Sequence, residues 1–177
     1  MLKRFYPDAY VESVFTIDYE ALYRRGIRGL IFDIDNTLVH HGDDSTQAVD
    51  RLFERVQAMG FRTLLLTDNH EQRVKRFIRN IDTLYICEAG KPDPAPYRRA
   101  LELMGLKGDQ VVCIGDQIFK DILGANRSGL PSILVRFIRL PTERKIGRRR
   151  QLEKVILWCY RRSLSARHRL GDIEKTM

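Results

Sequence analysis

Seven side chains in this sequence could share one piece of chemistry. Asp33 and Asp35 stand two residues apart in Asp33-Ile34-Asp35-Asn36-Thr37, directly after the apolar run Gly29-Leu30-Ile31-Phe32. On an extended segment two such acids share a face. Held together they repel, unless a cation lies between them or one keeps a proton. A second acidic pair, Asp116 and Asp121, follows another apolar run, and Thr67 (with Asp68 beside it) and Lys91 follow two more. Carboxylates, a hydroxyl and an ammonium gathered at one place suit phosphoryl transfer. Mg2+ prefers carboxylate oxygens and keeps some of its waters, and a lysine neutralises charge developing on a phosphoryl group.

Taken singly, each signal has an ordinary explanation. Asp and Asn are common in turns after strands, Thr67 or Asp68 can simply cap a helix, and surface lysines carry little information. The pattern of elements gives them joint meaning. Short apolar, β-rich runs at 29–32, 62–66, 83–87, 110–114 and 132–135 read as five buried strands. Helical spacing or capping signals separate them. Ser45 or Thr46 opens a helix carrying Val49, Leu52, Phe53 and Val56, which Gly60 ends. A second helix runs over 70–79. Asp93-Pro94 starts a third, to about 104, and a fourth follows Asp116, to about 128. Alternating strands and helices predict an α/β domain of three layers with a mainly parallel sheet, whose strand tips meet on one edge. That edge would hold Asp33, Asp35, Thr67, Asp68, Lys91, Asp116 and Asp121. Paired His40 and His41 have no further ligand at a useful spacing and read as a polar loop.

The order DxDxT, then Thr, then Lys-Pro, then GDxxxxD resembles the haloacid dehalogenase (HAD) superfamily of phosphatases. The segments Ile31-Phe32-Asp33-Ile34-Asp35-Asn36-Thr37-Leu38-Val39, Gly90-Lys91-Pro92 and Gly115-Asp116-Gln117-Ile118-Phe119-Lys120-Asp121 narrow this to the YqeG-like, subfamily IIIA group. That group is similar to phosphatidylglycerophosphate phosphatases. The resemblance implies a Rossmann-like core, and Asp33 as a nucleophile that forms an aspartyl-phosphate. It implies Asp35 as acid and base, Thr67, Asp68 and Lys91 as holders of the phosphoryl group, and Mg2+ as cofactor. The metal would be bound by Asp33, Asp116, the main-chain carbonyl of Asp35 and, with help from water, Asp121. Lys120 departs from the pattern, which expects a small polar residue there; its ammonium is expected to pair with Asp121 or to reach solvent. The short spacings between motifs leave no room for an inserted cap domain, so the site would be open to a bulky phosphorylated substrate.

The 177 residues suffice for one domain with a real core. We expect an N-terminal extension over 1–28 packed on the core, a catalytic core over 29–135 and a basic, helical C-terminal segment over 136–177. The formal charge of +8 is concentrated in that last segment, which holds 13 Lys and Arg against 4 Asp and Glu; the remainder is near neutral. An anionic partner is implied. Leu152, Val155, Ile156, Cys159 and Ala166 follow helical spacing near Trp158 and Tyr160, with arginines around them. Such a helix can lie on an anionic membrane, or pack on its own domain with a solvated cationic face. RNA is a third possibility, unsupported by any RNA-binding motif. Three separated cysteines, Cys87, Cys113 and Cys159, suggest buried free thiols in a reducing compartment. Neither an 18-residue apolar span nor a secretory h-region is present, so the expected location is cytoplasmic, with peripheral contact at a membrane surface. A non-catalytic binding protein on the same scaffold is the rival from another class. The substrate expected first is phosphatidylglycerophosphate, and another phosphomonoester second.

Overall fold

The apolar runs do become strands, and every one of them is paired in parallel. The computed structural model describes residues 2–138, 148–163 and 169–174. β1 (Ala9–Val11), β2 (Gly29–Phe32), β3 (Arg62–Leu66), β4 (Leu84–Ile86), β5 (Val111–Gly115) and β6 (Ser132–Val135) form one sheet in the order β1-β6-β5-β2-β3-β4. β2 lies between β3 and β5, with Phe32 level with Leu65 on one side and Ile114 on the other. All four central tips therefore open on one edge, as the sequence predicts.

Strand alternation builds two cores. Leu30, Phe32, Leu65, Val112 and Ile114 face α2 (Gln47–Ala58) and α3 (Glu71–Phe77). Ile31, Leu64, Leu66, Val111 and Cys113 face α4 (Pro94–Met104) and α5 (Leu123–Arg127) on the other side. Capping follows the sequence signals. Thr46 Oγ1 accepts from Val49 N at 3.3 Å, and Asp93 Oδ1 accepts from Ala95 N at 2.7 Å with Pro94 behind it. Only a loop separates β2 from α2, and β3 from β4 holds α3 alone, so no cap domain intervenes.

Three expectations need correction. The sheet has six strands rather than five, because residues 9–11 pair with β6 at its far edge. Three residues are too few to show a period of two, so this strand left no pattern to read. Next, the stretch after Asp116 does not enter an α-helix directly. A π-helical turn, Ile118–Ile122, comes first. Finally, Cys113 is buried but Cys87 and Cys159 are only half-buried; all three are free. Within the N-terminal segment, α1 (Tyr19–Arg24) is capped by Asp18, whose side chain accepts from Ala21 N.

The C-terminal segment contains α6 (Arg148–Arg162), which packs on the domain. Its Ile156 and Tyr160 join Tyr6, Ile118, Ile122 and Leu134 in a third apolar cluster. Glu153 Oε1 accepts the Ile118 N–H at 2.9 Å. The expected apolar face divides in two, since Leu152, Val155 and Trp158 are 58, 60 and 57% exposed. Positions 142–147, Ala166 and Arg167 lie outside the described residues. Among those described, no helix is long and apolar enough to cross a membrane.

This division predicts unequal costs. Ile156→Ala should remove about 2–4 kcal/mol of stability in urea denaturation, by leaving a cavity against Tyr6 and Leu134. Leu152→Ala, at an exposed position, should change stability by no more than about 0.5 kcal/mol.

Candidate active site

Asp33 leaves the tip of β2 with its N–H bonded to Ile114 O at 2.9 Å, so its position follows from sheet pairing. Asp116 leaves the neighbouring tip of β5. The hydroxyl of Thr37 lies between them, 3.4 Å from Asp33 Oδ2 and 3.3 Å from Asp116 Oδ1. Asp121 returns to the same point through the π-helical turn, whose extra residue per turn aims its side chain back at β5. The Gln117 N–H holds Asp121 Oδ2 at 2.9 Å. Gly115 makes that return possible. A Cβ there would sit 2.4 Å from Asp121 Cγ, inside the carboxylate's own space.

Lys91 enters from the loop after β4. Its Nζ donates to Asp33 Oδ1 and Asp121 Oδ1, both at 2.6 Å, and to Leu66 O at 3.1 Å. Oxygens of Asp33, Asp116 and Asp121, all buried, lie within 4.8 Å of one another. Three carboxylates against one ammonium leave an excess of negative charge in a place water hardly reaches. Burial, reinforced by Asp121 and Asp116, pushes the Asp33 carboxyl well above its ordinary range despite Lys91. Burial alone would lower Lys91, but Asp121 and Asp33 hold it firmly protonated. Three hard oxygen donors so arranged fit a divalent cation of the Mg2+ type.

Asp35 belongs to a different environment. Its carboxylate accepts from Asn69 Nδ2 at 2.9 Å and Gly42 N at 3.1 Å. His41 Nδ1 lies 3.2 Å away and Arg73 Nη2 3.4 Å. Burial opposes ionisation, yet the bonds from Asn69 and Gly42 and the charges of His41 and Arg73 outweigh it, and the Asp35 carboxyl lies below its ordinary range. Thus two acids two residues apart are pushed in opposite directions.

Thr67 is buried, and its hydroxyl accepts from Asn69 N at 3.2 Å. Neither Thr67 nor Asp68 caps α3, whose N-cap position is His70. Asp68 accepts from Lys91 N at 3.0 Å and from Lys120 Nζ at 2.7 Å. Burial opposes these contacts but they prevail, so the Asp68 carboxyl is also lowered. Lys120 therefore pairs neither with Asp121 nor with solvent alone; the turn directs it across to Asp68 while Asp121 is held by Lys91 and Gln117.

The structure thus brings Asp33, Lys91, Asp116 and Asp121 into contact, with Thr67 and Asp68 at the adjoining tip and Asp35 at the rim. Sequence reading missed Thr37, His41, Asn69 and Arg73 as partners of these acids. Thr37 and Asn69 adjoin the motifs and were within reach. Arg73 gives no signal on its helix, although its Nε and Nη1 are buried without a hydrogen-bond partner.

If Gly115 is needed for the return of Asp121, Gly115→Ala should cost about 1–3 kcal/mol in chemical denaturation, the scale of an overpacked core position.

The family model for haloacid dehalogenase-like hydrolases matches residues 48–129. The probable phosphatase YqeG of Bacillus subtilis (strain 168) is 38% identical over 178 residues, covering 98% of each chain. Phosphatidylglycerophosphate phosphatase 1 of Arabidopsis thaliana, chloroplastic/mitochondrial, is 25% identical over 162 residues, spanning 85% of this chain and 47% of that one. Among solved structures, NagD from E. coli K-12 superposes with a TM-score of 0.54 at 14% identity, over 68% of this chain and 94% of that one, a likeness of fold.

Proposed function

The chain belongs to the haloacid dehalogenase-like hydrolases and is a phosphatase, and on that premise we propose that it hydrolyses a phosphomonoester through an aspartyl-phosphate on Asp33, with Mg2+ as cofactor. The observation that carries this reading is the buried triad of Asp33, Asp116 and Asp121 with the Lys91 ammonium bonded to two of its members. Bound there, Mg2+ would supply positive charge to the phosphoryl oxygens and to the crowded carboxylates.

The remaining steps fall to the chain's own groups. Asp33 attacks phosphorus and the ester oxygen leaves. Thr67 Oγ1, the main-chain N–H of Asp68 and Lys91 Nζ hold the phosphoryl oxygens. The Asp68 carboxylate acts indirectly, since it is occupied by Lys91 N and Lys120. Asp35 gives its proton to the leaving oxygen, then takes one from the water that cleaves the aspartyl-phosphate. At rest its four neighbours hold it in the base form, ready for the second step. A substrate that displaces Asn69 or Gly42 from its oxygens would raise its proton affinity for the first. Residues 29–135 carry these groups as the catalytic core, between an N-terminal extension over 1–28 and a basic C-terminal segment over 136–177.

The substrate this reading favours is phosphatidylglycerophosphate, supported by the similarity to the Arabidopsis protein and by a site with no inserted cap. Another phosphomonoester is the alternative. Leu152, Val155 and Trp158 face outward from α6 among Lys154, Arg161 and Arg162, a surface that suits peripheral attachment to an anionic bilayer.

Phosphate release with Mg2+ tests the chemistry. Asp33→Asn should lower kcat by at least about a thousandfold, and chelation of the metal should stop wild-type turnover until Mg2+ is restored. An Asp33→Asn protein as active as wild type would sink the mechanism. Attachment has its own test, because Trp158 is the only tryptophan. Its fluorescence should shift to the blue with phosphatidylglycerol vesicles and not with phosphatidylcholine vesicles. Leu152→Ser with Val155→Ser should abolish the shift.

A further inference from the structure

The turn that carries Asp121 is held from outside itself. The first N–H groups of a helical turn have no partner within it, and Gln117, which opens this one, provides no side-chain cap. Two carboxylates take those groups instead. Asp121 Oδ2 accepts from Gln117 N at 2.9 Å, and Glu153 Oε1 accepts from Ile118 N at 2.9 Å. At the far end the Tyr97 hydroxyl donates to Lys120 O at 3.3 Å and to Asp121 O at 3.4 Å. Of these three supports, only Glu153 comes from beyond residues 29–135, on α6.

Glu153 stands against the character of its helix. It is the only acid in α6, which has Lys or Arg at six positions. On a basic surface helix an acid gains most by facing outward among its i,i+3 and i,i+4 neighbours. Glu153 is instead 6% exposed, on the inward face that it shares with Ile156 and Tyr160. Those two residues pack with Ile118 and Ile122, so the inward face of α6 rests on this same turn. Burying a carboxylate is costly unless hydrogen bonds hold it, and the Ile118 N–H supplies one. Glu153 does not belong to the set of carboxylates whose oxygens lie within 4.8 Å of one another, which is Asp33, Asp116 and Asp121. Its route to that set is the main chain, for Ile118 stands two residues after Asp116 and three before Asp121.

We propose that Glu153 is a positioning residue for the cation site, so that α6 is a working part of the active centre. Its carboxylate holds the Ile118 N–H, fixes the segment between Asp116 and Asp121, and so sets the spacing of two of the three acids. This role rests on the Mg2+-dependent reading of the triad and adds to it a residue from the C-terminal segment. Groups that orient metal ligands without touching the ion govern affinity by about ten- to a hundredfold.

Mn2+ takes the same oxygen donors as Mg2+, and its paramagnetism lets binding to the full-length, substrate-free protein be titrated by electron paramagnetic resonance. Glu153→Ala should weaken that binding by about tenfold or more. Glu153→Gln keeps an acceptor oxygen without the charge and should recover most of the affinity. Glu153→Asp keeps the charge but draws the oxygen back by one carbon, and should lose affinity as the alanine variant does; with Glu153→Gln it decides the matter should Glu153→Ala fail to fold. Ile156→Ala loosens the same helix but leaves the Glu153 bond, so it should lower stability with Mn2+ affinity close to that of wild type. Asp116→Asn, which removes a ligand, should abolish binding. Circular dichroism at the titration temperature checks that each variant is folded.

Wild-type affinity in Glu153→Ala or Glu153→Asp, or an equal loss in Ile156→Ala, would overturn the positioning role while leaving the cation site of the triad standing. A glutamine variant as weak as the alanine variant would overturn it too, because charge rather than the bond to Ile118 would then govern affinity. Wild-type protein that binds no Mn2+, or binding untouched by Asp116→Asn, would overturn the Mg2+ reading and the positioning role together.

Discussion

The structure depends on keeping three carboxylates close together out of water. Each would be stable alone at the surface; together and buried they repel and lose hydration. The Lys91 ammonium relieves part of this by bonding Asp33 and Asp121 at once, and it is itself kept charged by them. The rest of the fold can be read as what this contact requires. Parallel pairing brings the tips of β2, β3 and β5 to one level. A glycine clears the space that Asp121 fills, and a π-helical turn aims it there. The remaining excess of negative charge is a reason to bind a cation, expressed in geometry.

Two aspartates separated by a single residue serve as a comparison made within one molecule. Asp33 sits among other acids and is driven toward its protonated form. Asp35 sits among donors and is driven toward its ionised form. Sequence proximity therefore says little about electrostatic equivalence, and the pair can hold different protonation states at the same pH. The side chains responsible, Asn69 and Arg73, come from beyond β3 and reach across the mouth of the site.

The central four strands, their helices and the four motif positions were legible because burial on both faces writes continuous apolar runs, and because caps mark helix starts. What escaped was set by tertiary packing. β1 is too short to show alternation. The π-helical turn has no composition that distinguishes it from an α-helix, so Lys120 was expected beside Asp121 or in solvent rather than against Asp68. In α6 the apolar residues were counted as one face, whereas Ile156 and Tyr160 go inward and Leu152, Val155 and Trp158 outward. Periodicity reports that a helix is two-sided, and only packing reports which side is taken. Arg73 reaches Asp35 across the fold, and no local signal could announce that.

The order of strands carries a consequence for the way this chain is made. Of the six strands β1 is synthesised first, yet its partner is β6, residues 132–135, and among the described residues no other strand flanks it. As the polypeptide emerges from a ribosome, β2 can pair with β3 once residue 66 is available, and β5 then adds beside β2. The N-terminal strand must wait through nearly all of this, a long separation for so small a contact. The edge of the sheet against which α6 packs is thus the last part to close. Its completion waits for β6 and then for α6, residues 148–162.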